Sequence, residues 1–129
     1  MFLIEETQSV IDRALVVQMR WIERILSGEK VWEMRSTKTK YRGRFRLIGS
    51  GTGLIFGEVN LVDSLGMLPE EESANSFGKH AIPPEENHLL SKYKYPWVLE
   101  NPYRYRNPLP YRHPQGAVIW VKAEPKIFL

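Results

Sequence analysis

The chain has 129 residues, 43% hydrophobic and 26% charged, so it can bury one core and falls outside the disordered class. With no cysteine, a disulfide framework and a thiolate zinc site are both excluded. A net charge of +3 is too small, taken alone, to argue for a polyanionic partner.

The opening stretch from Met1 to Glu6 lacks the basic start and sustained apolar core of a signal peptide, and no apolar run reaches membrane-spanning length. The expectation is a soluble, cytoplasmic chain with no membrane association. Thr7 to Arg13 reads as a short helix capped by Thr7 or Ser9, and Ala14 to Met19 as a buried strand. From Arg20 to Leu26 the apolar residues Trp21, Ile22, Ile25 and Leu26 form one helical stripe. Gly28, just past the last apolar turn, is placed to close that helix in the left-handed conformation.

The segment Lys30-Val31-Trp32-Glu33-Met34-Arg35 alternates. As a strand it points Trp32 and Met34 one way and Val31, Glu33 and Arg35 the other, so the two charges share a face. A second strand, Arg44 to Ile48, follows the Arg42-Gly43 turn. Gly49-Ser50-Gly51-Thr52-Gly53 then reverses the chain into a third, Leu54 to Val62. Those glycines lack the lysine and serine of a phosphate loop, which makes a hairpin the better reading.

Residues 66–84 form an acidic and polar connection with room for a short helix. Pro83-Pro84-Glu85-Glu86 is a favourable helix start leading into Asn87 to Tyr93. Pro96 to Glu100 and Gly116 to Val121 are the last clear strands. Short strands, brief helices and many turns predict a mainly β member of the α+β class, a small barrel rather than a layered α/β fold. No repeat or low-complexity linker divides the chain, so one domain is expected.

Charge is distributed unevenly. Lys30, Arg35, Lys38, Lys40, Arg42, Arg44 and Arg46 lie in one segment with Glu33 the only acid among them, while Glu70-Glu71-Glu72 sits elsewhere. Read from periodicity alone, Glu33 and Arg35 are a surface ion pair of little energetic weight.

The pattern Gly28-x-Lys30-x-x-Glu33-x-Arg35 resembles the GxKxxExR signature of the ASCH domain, a relative of the PUA RNA-binding fold. Val17-Gln18-Met19-Arg20-Trp21 is similar to that family's strand-to-helix junction, and Arg42-Gly43-Arg44 to its basic return. Gly57 to Asp63 resembles its central strand. Asn101-Pro102, Pro108 to Tyr111 and Gly116 to Trp120 resemble its closing segment. The matches run in order from about Ala14 to Val121.

The resemblance implies a PUA-like mixed β-barrel of five to six strands with two or three short flanking helices. It would occupy residues 14–129, with 1–13 as an N-terminal extension. It also implies a cleft that holds RNA or a nucleotide-like ligand. Lysine supplies a point charge for phosphate, arginine a fork for phosphate or a base edge, and a carboxylate accepts from an amino or hydroxyl group. Lys30, Glu33 and Arg35 are therefore the expected binding residues, with Lys38, Lys40, Arg42 and Arg44 as outer phosphate contacts.

A second constellation interleaves aromatics with cations: Tyr93 to Trp97, Tyr103-Arg104-Tyr105-Arg106 and Tyr111-Arg112-His113. Rings that stack on bases beside guanidinium groups suit single-stranded nucleic acid. Alternating Tyr and Arg equally describes rings in a core and charges in water, and for Tyr103 and Tyr105 the two readings balance. Trp97 and Trp120 read as core. His80, His88 and His113 have no metal-ligand spacing and are expected to be solvated or core residues, with no metal or cofactor.

One branch of the resembled family comprises amidohydrolases acting on acetylated cytidine. There a lysine matching Lys30 works with a threonine three residues later, where this chain has Glu33. Ribonuclease activity also occurs in the family, and Lys30 with Glu33 has the chemistry for charge stabilisation and proton transfer. Three expectations follow: a reader of RNA or a modified nucleoside, a hydrolase using Lys30 and Glu33, and a protein-interaction module docking through residues 66–84.

Overall fold

In the computed structural model, residues 11, 13–117 and 119–122 are described. Alternation along the strands organises the fold. In β3 (Gly43–Gly49) Phe45 and Leu47 point inward, and in β4 (Leu54–Ser64) Ile55, Gly57, Val59 and Leu61 do so at every second position. Leu15 and Val17 of β1 (Ala14–Val17) and Trp97 and Leu99 of β5 (Tyr95–Pro110) join Phe45, Leu47, Val59 and Leu61 in the main core. Helix α1 (Met19–Leu26) closes that core with Ile22, Ile25 and Leu26, the stripe predicted from spacing.

With β2 (Trp32–Arg35) and β6 (Trp120–Val121), these strands make one six-stranded sheet in the order β2-β5-β4-β3-β1-β6. β1 runs parallel to β3 and the other pairs are antiparallel, so the sheet is mixed. It curls into a half-barrel, as expected of a PUA-like fold. A smaller cluster of Ala14, Ile48, Ile55, Tyr111 and Val121 packs where β1, β3 and β6 meet. Trp97 is in the core, and Trp120 stacks on it with centroids 5.7 Å apart.

Several boundaries differ from expectation. β1 ends at Val17, and Met19 is already helical because extended Gln18 caps α1. The expected helix after Pro84 is a 3₁₀ helix, Pro84–Ser91, kinked at Glu86. β5 continues far beyond Glu100, through three further prolines, because past Val98 only β4 lies beside it and the register slips. A proline facing an unpaired side or a bulge forfeits no ladder bond. The last strand is shorter than Gly116 to Val121. The predicted Thr7 to Arg13 helix lies outside the described residues except for Ile11 and Arg13, which are not helical. The connection after β4 carries α2 (Glu70–Ala74) and α3 (Phe77–His80).

At Gly57 three elements approach each other. A Cβ there would fall against the Tyr103 carbonyl of β5 and the Leu26 methyls of α1. Gly57→Ala is therefore expected to cost about 1–3 kcal/mol through overpacking. Urea unfolding of the variant beside wild type checks this, and an unchanged midpoint would refute it.

Candidate functional site

Gly28, at φ +87°, ends α1, and its N–H donates to Ile25 O. The Lys30 amide donates in turn to Arg24 O at 2.9 Å. This turn tucks Lys30 beneath the helix it follows, with the residue 2% exposed. Its ammonium donates to the His80 carbonyl, sits 4.8 Å from the centroid of the Trp21 ring, and lies 3.9 Å from Glu33 Oε1.

Glu33 is buried and shared. Its Oε2 accepts from Arg35 Nε at 3.0 Å, so the predicted common face of these two residues is real. Arg35 Nη2 donates to the Val16 carbonyl at 3.2 Å. β2 and β1 have no backbone pairing, and the guanidinium bridges them. Arg35 Nη1 has no partner among the described residues.

Above these groups is a cleft of about 210 Å³, whose lining includes Gln18, Arg20, Trp21, Ile82, Leu89 and Tyr93. Lysine, carboxylate and guanidinium thus meet in one concavity. Burial lowers the Lys30 pKa to about 8, reinforced by Arg24, Arg35 and Arg20 and opposed by Glu33. Arg20 lies over Trp21 at 4.1 Å and pairs with Glu86 at 2.7 Å at the rim.

From residues 66–84, Ile82 reaches the lining of this cleft, and His80 stands behind it. The His80 ring is fully buried, with Nε2 at 2.7 Å from Ser73 O and Nδ1 accepting from the Ile82 amide at 2.9 Å. Burial lowers its pKa, assisted by the Lys30 charge and opposed by the Ser73 contact. Of the two roles expected for the histidines, His80 has the core one.

The other predicted site residues lie elsewhere. Lys38 and Lys40 are exposed on the segment leaving β2. Arg42 donates to the Thr39 and Tyr41 carbonyls and lies 3.6 Å from Asp63. Arg44 sits on the sheet face opposite Phe45, bonded to Glu58, Asn60 Oδ1 and Asn101 O. Tyr105 donates to Glu58 Oε2 at 2.7 Å, and Tyr103, 57% exposed, meets the Tyr105 ring edge-on. None of these lines the cleft.

This second cluster has its own electrostatics. Burial pushes the Glu58 carboxyl up, but bonds from Arg44 and Tyr105 outweigh it and the net shift is downward. Tyr105 is pushed up to about 12, by burial first and then by Glu58.

Sequence reasoning missed part of the cleft. The helical spacing of Trp21 is a signal for the core alone, and its place in the cleft comes from Lys30 tucking beneath the helix. Ile82 and Leu89 had none, since the fold of the long connection alone brings them here.

Among the described residues, no group of three or more His, Asp or Glu side chains is placed to hold a metal ion, and no helix is long and apolar enough to cross a membrane. The family model described as the ASCH domain matches residues 15–109. No curated protein matches the chain.

Proposed function

The chain belongs to the ASCH domain family, which is generally related to RNA binding, and on that premise we propose that it binds single-stranded RNA or a modified nucleoside by seating one base in the Lys30–Glu33–Arg35 cleft. The observation that carries this reading is the convergence of the Lys30 ammonium, the buried Glu33 carboxylate and the Arg35 guanidinium on one cleft. A donor next to an acceptor matches the adjacent acceptor and donor on a nucleobase edge.

Size and surroundings support the same reading. A concavity of about 210 Å³ suits a single heterocycle and not a duplex. Trp21 and Tyr93 offer aromatic surface in the lining. Exposed Lys38 and Lys40, just beyond β2, serve as outer phosphate contacts, with Arg42 further along. Arg44 and Tyr105 are already engaged by Glu58, which leaves exposed Tyr103 as the ring of that cluster open to a strand.

Calorimetric titration with nucleosides, short single-stranded RNA and duplex RNA tests the proposal. Single strands are expected to bind, more weakly as salt rises. Arg35→Ala is expected to lose about tenfold or more, because the base loses a charged hydrogen-bond partner. No binding to any nucleoside or oligonucleotide, or equal binding by the variant, overturns it.

One observation favours a second reading, hydrolysis. A lysine whose pKa is about 8 is partly neutral near physiological pH and can accept a proton. Lys30 would then act as a base beside Glu33 in a ribonuclease or in an amidohydrolase acting on acetylated cytidine. Incubating wild type and Lys30→Ala with labelled RNA and with acetylcytidine decides it; no turnover by wild type removes the enzyme.

A further inference from the structure

His80 is buried at a joint. Its backbone carbonyl receives the Lys30 ammonium from the cleft floor, its Nδ1 holds the amide of Ile82 in the cleft wall, and its Nε2 reaches back to α2 at Ser73 O. These contacts define one tautomer. Nδ1 must be bare to accept from Ile82, so Nε2 carries the proton and donates to Ser73.

Between the two anchored residues is Ala81, at φ +58° a left-handed conformation that a non-glycine residue rarely adopts. It is held by the Ile82 bond on one side and by Arg24, which donates to its carbonyl at 3.0 Å, on the other.

We propose that His80 is a positioning residue that latches the cleft in its binding shape, and that adding a proton to its imidazole opens the latch. The proton must go to Nδ1, because Nε2 already has one. Two N–H donors would then face each other across 2.9 Å, and the Ile82 contact is lost. Ala81 is freed to leave its strained conformation, and the His80 carbonyl moves away from Lys30 with it.

The Ser73 carbonyl favours the added charge, but burial and the Lys30 ammonium outweigh it. The Lys30 ammonium and the Arg24 guanidinium bind the carbonyls of His80 and Ala81, and Lys79 precedes the ring in sequence. Phe77 presents an aromatic contact at 6.4 Å, while Glu70, Glu71 and Glu72 of α2 are exposed. No carboxylate is hydrogen-bonded to the ring among the described residues.

The sign follows from the lowered folded pKa. The native latch is fully favoured above the unfolded histidine value of about 6.5 and weakens as pH falls through that value toward the folded one. Lys30, with its pKa of about 8, stays mainly charged throughout that window.

As a statement about binding, the inference rests on the cleft being the RNA site; as a statement about the protein, it does not. The test is a nuclear magnetic resonance titration of the His80 ring, the Ile82 amide and the Lys30 side chain. It is run with and without a single-stranded RNA octamer between about pH 7 and pH 5. The Ile82 and Lys30 signals should move together with the His80 titration, and octamer affinity should fall about fivefold or more.

His80→Asn keeps an acceptor for Ile82 without a titrating ring, and should bind with a flat pH profile over the same range. Ile82 and Lys30 signals that ignore the His80 titration overturn the latch, as does the same affinity slope in wild type and variant. Coupled signals with no octamer binding uphold the latch and remove only the RNA reading. If the asparagine variant fails to fold, the wild-type titration alone decides.

Discussion

Glu33→Ala is expected to lower the unfolding free energy by about 3–5 kcal/mol, the range found when one partner of a buried ion pair is removed. The carboxylate stands between two cations, Lys30 at 3.9 Å and Arg35 at 3.0 Å, and all three side chains are largely withdrawn from water. Alanine would leave both positive charges facing each other. Lys30 has a partial escape, because its pKa is already low and loss of Glu33 removes the one neighbour that raises it. Arg35 has none, since a guanidinium does not deprotonate in proteins.

Glu33→Gln separates charge from shape. It can still accept from Arg35 Nε, so the stability loss should be smaller, while the Lys30 pKa should drop below its wild-type value of about 8. Urea unfolding of wild type, Glu33→Ala and Glu33→Gln, with resonance titration of Lys30 in the glutamine variant, makes the comparison. Alanine and glutamine variants of equal stability would show that Glu33 works by shape alone and would sink the buried-triad account.

The three floor residues were legible in the sequence because they are local. A glycine-terminated helix, a turn and one alternating strand fix their relative positions, and the paired face of Glu33 and Arg35 follows from strand periodicity alone. Arg44 looked like part of the same basic segment and is not, because alternation sends it to the other sheet face. There it meets Glu58, a partner chosen by the register of β3 on β4 and invisible to composition. Register also carried β5 through prolines that sequence reasoning treats as strand ends. His80 shows the opposite limit. A core role was foreseeable, but its bond to Lys30 spans fifty positions in the chain and depends on how the acidic connection folds back.

Lys30 itself should give the protein an unusual alkaline stability profile. Its folded pKa of about 8 lies below the ordinary 10.5, so between these values the unfolded chain binds more protons than the native one. Stability contributed at this site then rises with pH, by about 3 kcal/mol across the whole interval. Below pH 8 the cost of burying the charge is fully present; above 10.5 it has been relieved. Tyr105 and Tyr111 act oppositely, because burial raises their folded pKa values and stability falls as the unfolded phenols ionise first, from about pH 10 upward. The combined curve should climb from pH 8, then turn over. Subtracting the profile of Lys30→Met isolates the lysine, since both tyrosines remain in that variant. Denaturant melts between about pH 7 and pH 10 should show the rise in wild type and its absence in Lys30→Met. Parallel profiles would mean that the Lys30 amine is solvated, and the buried ammonium at the floor of the cleft would have to be given up.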